Sequence, residues 1–235
     1  MEDRYNYLEQ NADIEQLIES VPFLSDLPAE SLQKLTGHFV TLAHPANQII
    51  LLENDWGGSV YFIIEGWVKI RTYNLEGKEV TLNIIGQGEI FGEMAALDKM
   101  PRSTDAITLT STVIGRIPSQ DFVELITTEP LAGVRLAQLM AKRLRQVNRR
   151  LQLREASSTS RVADAILFLV EGQGKKGVRG TQIPNLPHRE ISSLSGLARE
   201  TVTRVLTKLE KRGLIRRDAD SLHIPDIPAL ESMIG

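Results

Sequence analysis

LAGVRLAQLMAKRLRQVNRRLQLR, residues 131–154, reads as one long helix, and both halves of the chain are organised around it. Leu136, Met140, Leu144, Val147 and Leu151 recur at steps of four, four, three and four, the spacing of an apolar seam on one helical face. Such a seam requires a partner helix. Upstream the sequence alternates and turns like a β-domain, and downstream it is short-helical and basic. A helix in that position can join two domains, pair two subunits and lie close to whatever the first domain binds.

Composition bounds the answer. At 235 residues, 42% hydrophobic and 24% charged, the chain has the length and texture for two modest globular domains. No apolar run approaches the roughly 20 residues that cross a bilayer, and the N-terminus is acidic where a secretory signal is basic, so a cytoplasmic protein without a membrane partner is expected. The absence of cysteine excludes disulfides, thiolate catalysis, iron–sulfur clusters and Cys-based zinc sites. His38, His44, His188 and His223 are scattered and lack carboxylate companions at metal-ligand spacing, so no metal site is expected, although haem ligation by one histidine stays open. The net charge of -3 hides an asymmetry. Residues 1–130 carry 8 Lys and Arg against 20 Asp and Glu, and residues 131–235 carry 19 against 10. A basic half on an acidic protein points to a polyanion. A membrane surface fits less well, because the basic half has no Trp and no strong apolar membrane-facing stripe.

Along the chain, residues 1–20 read as a helical extension whose narrow apolar face is Ile14, Leu17 and Ile18. Ser25, Asp26 and Pro28 mark a helix start. Short runs rich in Val, Ile, Leu, Tyr and Phe follow at 48–53, 59–64, 67–73, 80–85 and 111–117, separated by glycine-containing turns. Strands at this spacing predict a sandwich or barrel, not βαβ units.

FGEMAALDKMPRSTDA, residues 91–106, interrupts the strand pattern. Gly92 and Glu93 precede a short apolar turn containing Met94 and Ala95, and Arg102 and Ser103 then add a cation and a hydroxyl. A helix start, a guanidinium fork and a hydroxyl are the parts a buried phosphate diester requires, and Glu93 can accept from a ribose hydroxyl beside it. The plainer alternative is that Arg102 pairs with Glu93 or Asp98 on a hairpin surface.

Past the long helix, residues 159–170 read as an amphipathic helix, and 172–180 (GQGKKGVRG) as a mobile turn without the Ser/Thr of a P-loop. Residues 181–186 fit a short strand. PHREISSLSGLARETVTRVLTKLEKRGLIRR, residues 187–217, then divides into helix, glycine turn and helix, with Ile191, Leu194, Leu197, Val202, Val205, Leu206 and Leu209 as packing positions. The second helix exposes Arg199, Glu200, Thr203, Arg204 and Lys208. Arginine bridges the acceptors of guanine and Glu accepts from cytosine N4, so this face suits base reading. An amphipathic helix with a merely solvated charged face is the competing interpretation. Residues 214–224 would close the unit as a small wing.

The two motifs, in this order and separated by a dimer-type helix, resemble the CRP/FNR superfamily of bacterial transcription regulators over nearly the whole chain from about residue 20. The resemblance implies an α+β protein: a helical extension (1–20), a double-stranded β-helix or jelly-roll sensor (21–130), a long dimerisation helix (131–157) and a winged helix-turn-helix (158–235). It implies a homodimer, a small-molecule effector and palindromic double-stranded DNA with TGTGA-like half-sites, and RNA polymerase stands as a further candidate partner. Gly92, Glu93, Arg102 and Ser103 match the cassette that holds ribose and cyclic phosphate, with Met94 and Ala95 beside it. Arg199, Glu200 and Arg204 match the base-reading positions, with His188, Arg189, Thr201, Thr203 and Lys208 as further DNA contacts.

One departure bears on the effector. Members that respond to cyclic AMP carry Thr-Ser on the central helix, where this chain has Val147 and Asn148 among Arg143, Arg145, Arg149 and Arg150. Arginine planes and forks suit guanine and a second phosphate, so Arg143, Asn148, Arg149 and Arg150 join the expected ligand set. Cyclic di-GMP is slightly favoured, with cyclic AMP close behind. The same arginines can instead pair across the dimer or with the acidic half. Two other readings stay open: a sensor of 2-oxoglutarate or another carboxylate metabolite, and a ligand-independent regulator. A hydrolase using Glu89 and Glu93 lacks a nucleophile, metal cluster or positioned histidine, so no enzyme is expected.

Overall fold

The computed structural model describes residues 21–234. The expected N-terminal helix with Ile14, Leu17 and Ile18 lies outside the described residues. By their contacts the described residues divide into two units, 21–72 with 82–141, and 73–81 with 142–234.

The first unit opens with a helix, α1 (Ala29–Thr36), entered through Pro28. Eight strands follow: β1 (Val40–His44), β2 (Ile49–Leu51), β3 (Ser59–Glu65), β4 (Trp67–Tyr73), β5 (Glu79–Gly86), β6 (Ile90–Phe91), β7 (Asp105–Thr108) and β8 (Thr112–Pro118). They form two four-stranded sheets, ordered β1-β8-β3-β6 and β2-β7-β4-β5. All the registered pairs are antiparallel, as a jelly-roll requires. Helix α2 (Glu93–Asp98) sits between β6 and β7, and α3 (Ser119–Thr128) follows β8. Val60, Phe62 and Ile64 alternate inward along β3 and meet Phe23, Phe39 and Phe122 in the main core cluster. The stretch that interrupts the strand pattern is therefore bounded by short strands, Phe91 belonging to β6 and Asp105 to β7.

The long helix, α4 (Pro130–Gln152), is continuous and ends in a 3-10 turn at Leu153–Glu155. It is divided between the units, so it is not a compact body of its own. Its seam also needs one correction. Leu136 is 7% exposed and packs with Ala132 in the core of the first unit, and Met140 is partly buried against the same cluster. Leu136 therefore serves its own subunit's core, not a dimer seam. Leu144, Val147 and Leu151 are 61%, 52% and 63% exposed, forming an apolar stripe on the second half of the helix.

In the second unit, α5 (Ser158–Gln173) starts at Ser157, whose Oγ accepts from Ser160 N at 3.1 Å. Residues 172–180, expected as a mobile turn, instead include β9 (Lys175–Gly177) and the start of β10 (Gly180–Pro184), which pair in a hairpin. After α6 (His188–Ser195) and α7 (Arg199–Lys211) come β11 (Arg216–Arg217), β12 (Ser221–Ile224) and α8 (Ile227–Glu231). The sheet β11-β12-β10-β9 supplies the wing. Val162, Ile166 and Leu169 of α5 are buried, as are Ile191, Leu194, Val202, Leu206 and Leu209 of α6 and α7.

Candidate effector and nucleic-acid sites

Between β6 and α2 the backbone must turn sharply, and Gly92 does so at φ 81, a left-handed conformation that costs glycine little. A Cβ here would lie 2.8 Å from Arg102 Nη1. The Arg102 guanidinium is buried at 4% exposure, donating from Nη1 to Gly92 O at 2.6 Å and from Nη2 to Ser59 O at 2.7 Å. It lies 5.8 Å from the centroid of the Tyr61 ring, which stacks on Phe91 at 5.0 Å. Burial pulls the Arg102 pKa below its ordinary value, while Tyr61 and Glu93 favour the charged form. Arg102 Nε is buried without a hydrogen-bond partner. A cation with an unanswered donor is suited to a phosphate oxygen. Glu93 is 2% exposed beside it, and exposed Ser103 lies with Oγ 3.9 Å from Met94 Sδ. Gly92, Glu93, Met94 and Ala95 at the start of α2 are thus brought together with Arg102 and Ser103 of the loop that follows it.

Two of the expected central-helix ligands, Arg149 and Arg150, have other engagements in the second unit. Arg149 Nε lies 2.6 Å from Asp164 Oδ1, and Nη1 lies 2.6 Å from Glu171 Oε1. Arg150 sits 4.2 Å over the Phe168 ring. Arg143 is half-buried and Asn148 is exposed. Burial pushes the Asp164 carboxyl above the ordinary carboxylate range, against the pull of Arg149 and Arg150. Replacing Arg149 with Leu should destabilise the protein by about 2 to 4 kcal/mol, somewhat below the usual cost of orphaning a fully buried charge because Arg149 is partly solvated. Arg149→Leu with Asp164→Leu should recover most of that loss in denaturant unfolding, and failure to recover would mean the pair is not the source.

In the same unit, Gly196 makes the turn between α6 and α7 at φ 64. Arg161 holds that turn from α5, donating from Nε to Ser195 O at 2.9 Å and from Nη2 to Gly196 O at 3.0 Å. Val202, Val205, Leu206 and Leu209 face inward on α7, leaving Arg199, Glu200, Thr203, Arg204 and Lys208 exposed and Thr201 half-buried. His188 Nε2 is 3.1 Å from Arg217 Nη1, and its Nδ1 is 2.8 Å from Thr203 Oγ1. Since arginine only donates, Nε2 accepts and Nδ1–H donates to Thr203, whose hydroxyl donates to Arg199 O at 3.0 Å. Burial, then Arg217 and Arg199, hold His188 below the ordinary histidine pKa, in keeping with this neutral form. His188 therefore ties the wing strand to α7. Thr203 has its methyl and one remaining hydroxyl lone pair left for a base. Arg189 Nε pairs with Glu190 Oε1 at 2.9 Å.

The cyclic nucleotide-binding domain family matches residues 42–129, and the Crp-like helix-turn-helix domain family matches residues 160–233. The cyclic AMP receptor protein of Thermus thermophilus is 31% identical over 214 residues, covering 90% of this chain and 96% of that protein. The chain belongs to the CRP/FNR family of transcription regulators. The crystal structure of a second CRP/FNR regulator from T. thermophilus is 26% identical with a TM-score of 0.64, covering 83% of this chain and 97% of that one. The c-di-GMP responsive regulator CLP of Xanthomonas campestris shares the fold, at 23% identity and a TM-score of 0.64 over 85% and 100% of the two chains.

Members of the CRP/FNR family regulate transcription and are not enzymes, and this regulator carries both of the family's domains. No helix among its described residues is long and apolar enough to cross a membrane, and no group of three or more metal-ligating acids and histidines occurs among them. Ser59, Tyr61 and Arg161 brace the two sites from outside either motif, Arg217 does so from the end of the helix-turn-helix stretch, and Asp164 and Glu171 hold Arg149. Each acts through a partner distant in sequence, so local spacing holds no signal for them.

Proposed function

We propose that this CRP/FNR regulator is a homodimer that binds a cyclic mononucleotide, cyclic AMP, in preference to the dinucleotide cyclic di-GMP, and reads a palindromic DNA site. The supporting observation is the buried, incompletely bonded Arg102 in a cassette with Gly92, Glu93 and Ser103. Two of the arginines that favoured the dinucleotide, Arg149 and Arg150, are held by Asp164, Glu171 and Phe168, which shifts the preference to the mononucleotide. That a relative is named a cyclic AMP receptor protein leans the same way.

In this proposal the nucleotide phosphate takes the free Arg102 donor and Ser103, and Glu93 accepts from the ribose. Helix α4 pairs with its copy through Leu144, Val147 and Leu151, and a change in that pairing sets the separation of two recognition helices. These must stand about 34 Å apart to enter successive major grooves. A coupling of about 1 to 3 kcal/mol changes DNA affinity roughly 5- to 150-fold. The regulator would work in the cytoplasm, with RNA polymerase as a further partner. Calorimetry with cyclic AMP, cyclic di-GMP and 2-oxoglutarate, beside DNA anisotropy with and without each, separates the readings. Tighter binding of cyclic di-GMP than of cyclic AMP would reverse the preference, and a response to 2-oxoglutarate alone would replace both nucleotides.

On the DNA side, Arg199→Ala should cost about 1 to 3 kcal/mol on the preferred site and relax base preference at one position. Lys208→Ala should weaken all sequences alike and reduce the salt slope by about one. Binding to a library of half-site variants at two salt concentrations distinguishes them. An Arg199→Ala protein with full discrimination would remove that side chain from base reading.

A further inference from the structure

Beside the cassette helix lies a second cavity of about 440 Å³, in the size range of small-molecule sites. Its walls are largely apolar, with Ala95 and Ala96 from α2, Met100 after it, Val123 from α3, and Trp56 at the mouth. Glu93, Arg102 and Ser103 are not among its lining residues. Trp56 is 77% exposed, an indole face with nothing yet stacked across most of it.

Among the described residues, the one charged side chain lining the cavity is a cation, Lys99. Lys99 stands at its edge, and the first turn of α3 opens onto it through Ser119 and Gln120. The residue before that turn is Pro118, which supplies no side-chain cap; the Ser119 N–H donates to Gly58 O at 2.8 Å, and the N–H groups after it receive no capping side chain from Pro118. Asp121, the acid of this turn, has its carboxylate 2.7 Å from His38 Nδ1 and does not line the cavity. Ser119 Oγ is buried without a hydrogen-bond partner. A lysine, a helix start without a side-chain cap and an unanswered hydroxyl converge beside an apolar hollow.

We infer that this cavity binds a small carboxylate with an apolar body, its oxygens taken by Lys99, Ser119 and the start of α3 and its body packed between Trp56 and Met100. The ligand would be a second effector, acting on the helix whose first residue is Glu93. The inference does not depend on which nucleotide the cassette takes.

Trp67→Phe leaves Trp56 as the reporter tryptophan, because the chain has two. Titrating that variant with octanoate should give a saturable emission change, absent when Trp56 is also replaced by Phe. Octylamine, of the same length and opposite charge, should give no saturable change. Lys99 has φ 55, so Lys99→Asn removes the charge while tolerating the left-handed backbone. That variant should bind octanoate at least about 5-fold more weakly with an unchanged melting temperature, as fits losing one charge-assisted contact. Ser119→Ala should weaken binding by a smaller factor, and saturating cyclic AMP should leave octanoate binding in place. No saturable change, equal binding of octylamine, an indifferent Lys99→Asn protein, or displacement by cyclic AMP would each overturn the assignment.

Discussion

Arg102→Leu is expected to bind cyclic AMP at least about 100-fold more weakly than the parent protein in calorimetry, and its DNA affinity should no longer respond to the nucleotide. A charge-assisted hydrogen bond contributes about 1.5 to 3 kcal/mol, so losing the Arg102 contact to phosphate, and with it the buried cation facing the anion, removes about 3 kcal/mol or more. The variant also leaves Gly92 O and Ser59 O without their donor, so its melting temperature should fall. Arg102→Lys separates the two effects. It retains a cation but not the planar fork, and should show an intermediate affinity. A folded Arg102→Leu protein that binds within about 5-fold of the parent would show that the phosphate is held elsewhere.

Leu144→Asp combined with Leu151→Asp should convert the protein to a monomer and lower its affinity for a palindromic site by more than about 100-fold. Each leucine, fully covered by a partner helix, contributes about 1.5 to 3 kcal/mol, and the symmetric interface counts each change twice. Both side chains are more than 60% exposed in the single subunit, so these substitutions should leave its own fold intact. Sedimentation measures the assembly and fluorescence anisotropy the DNA binding. A double variant that stays dimeric would move the interface away from this stripe. Leu136→Asp should behave differently, unfolding the first unit, because Leu136 lies in its core.

The contrast between Leu136 and Leu144 shows where sequence reading stops. A step of four says that two side chains share a face, and it is silent on whether that face meets a second helix or the subunit's own β-roll. Strands β3 and β4 are legible because Val60, Phe62 and Ile64 alternate inward and Gly66 turns between them. By contrast, β1 shows a pattern of mostly half-buried residues without clean alternation, and β7 is buried throughout and adjoins the cassette loop, so neither stands out in the sequence. Helix α3 escapes notice because its few buried residues, Phe122 and Leu125, follow a strand-like run without a Ser, Thr, Asp or Asn cap. The cassette and recognition helix are readable since their chemistry is local in sequence. The engagements of Arg149 and Arg150 are not, because Asp164, Phe168 and Glu171 lie on a different helix.

The bracing of the turn at Gly196 carries a consequence for how such regulators diversify. Arg161 reaches that turn from a separate helix and grips only main-chain oxygens, so the frame that presents α7 is indifferent to which side chains α7 displays. If positions 199, 200 and 204 read bases as proposed, they can be exchanged as a set of letters, giving new operator preferences on an unaltered chassis.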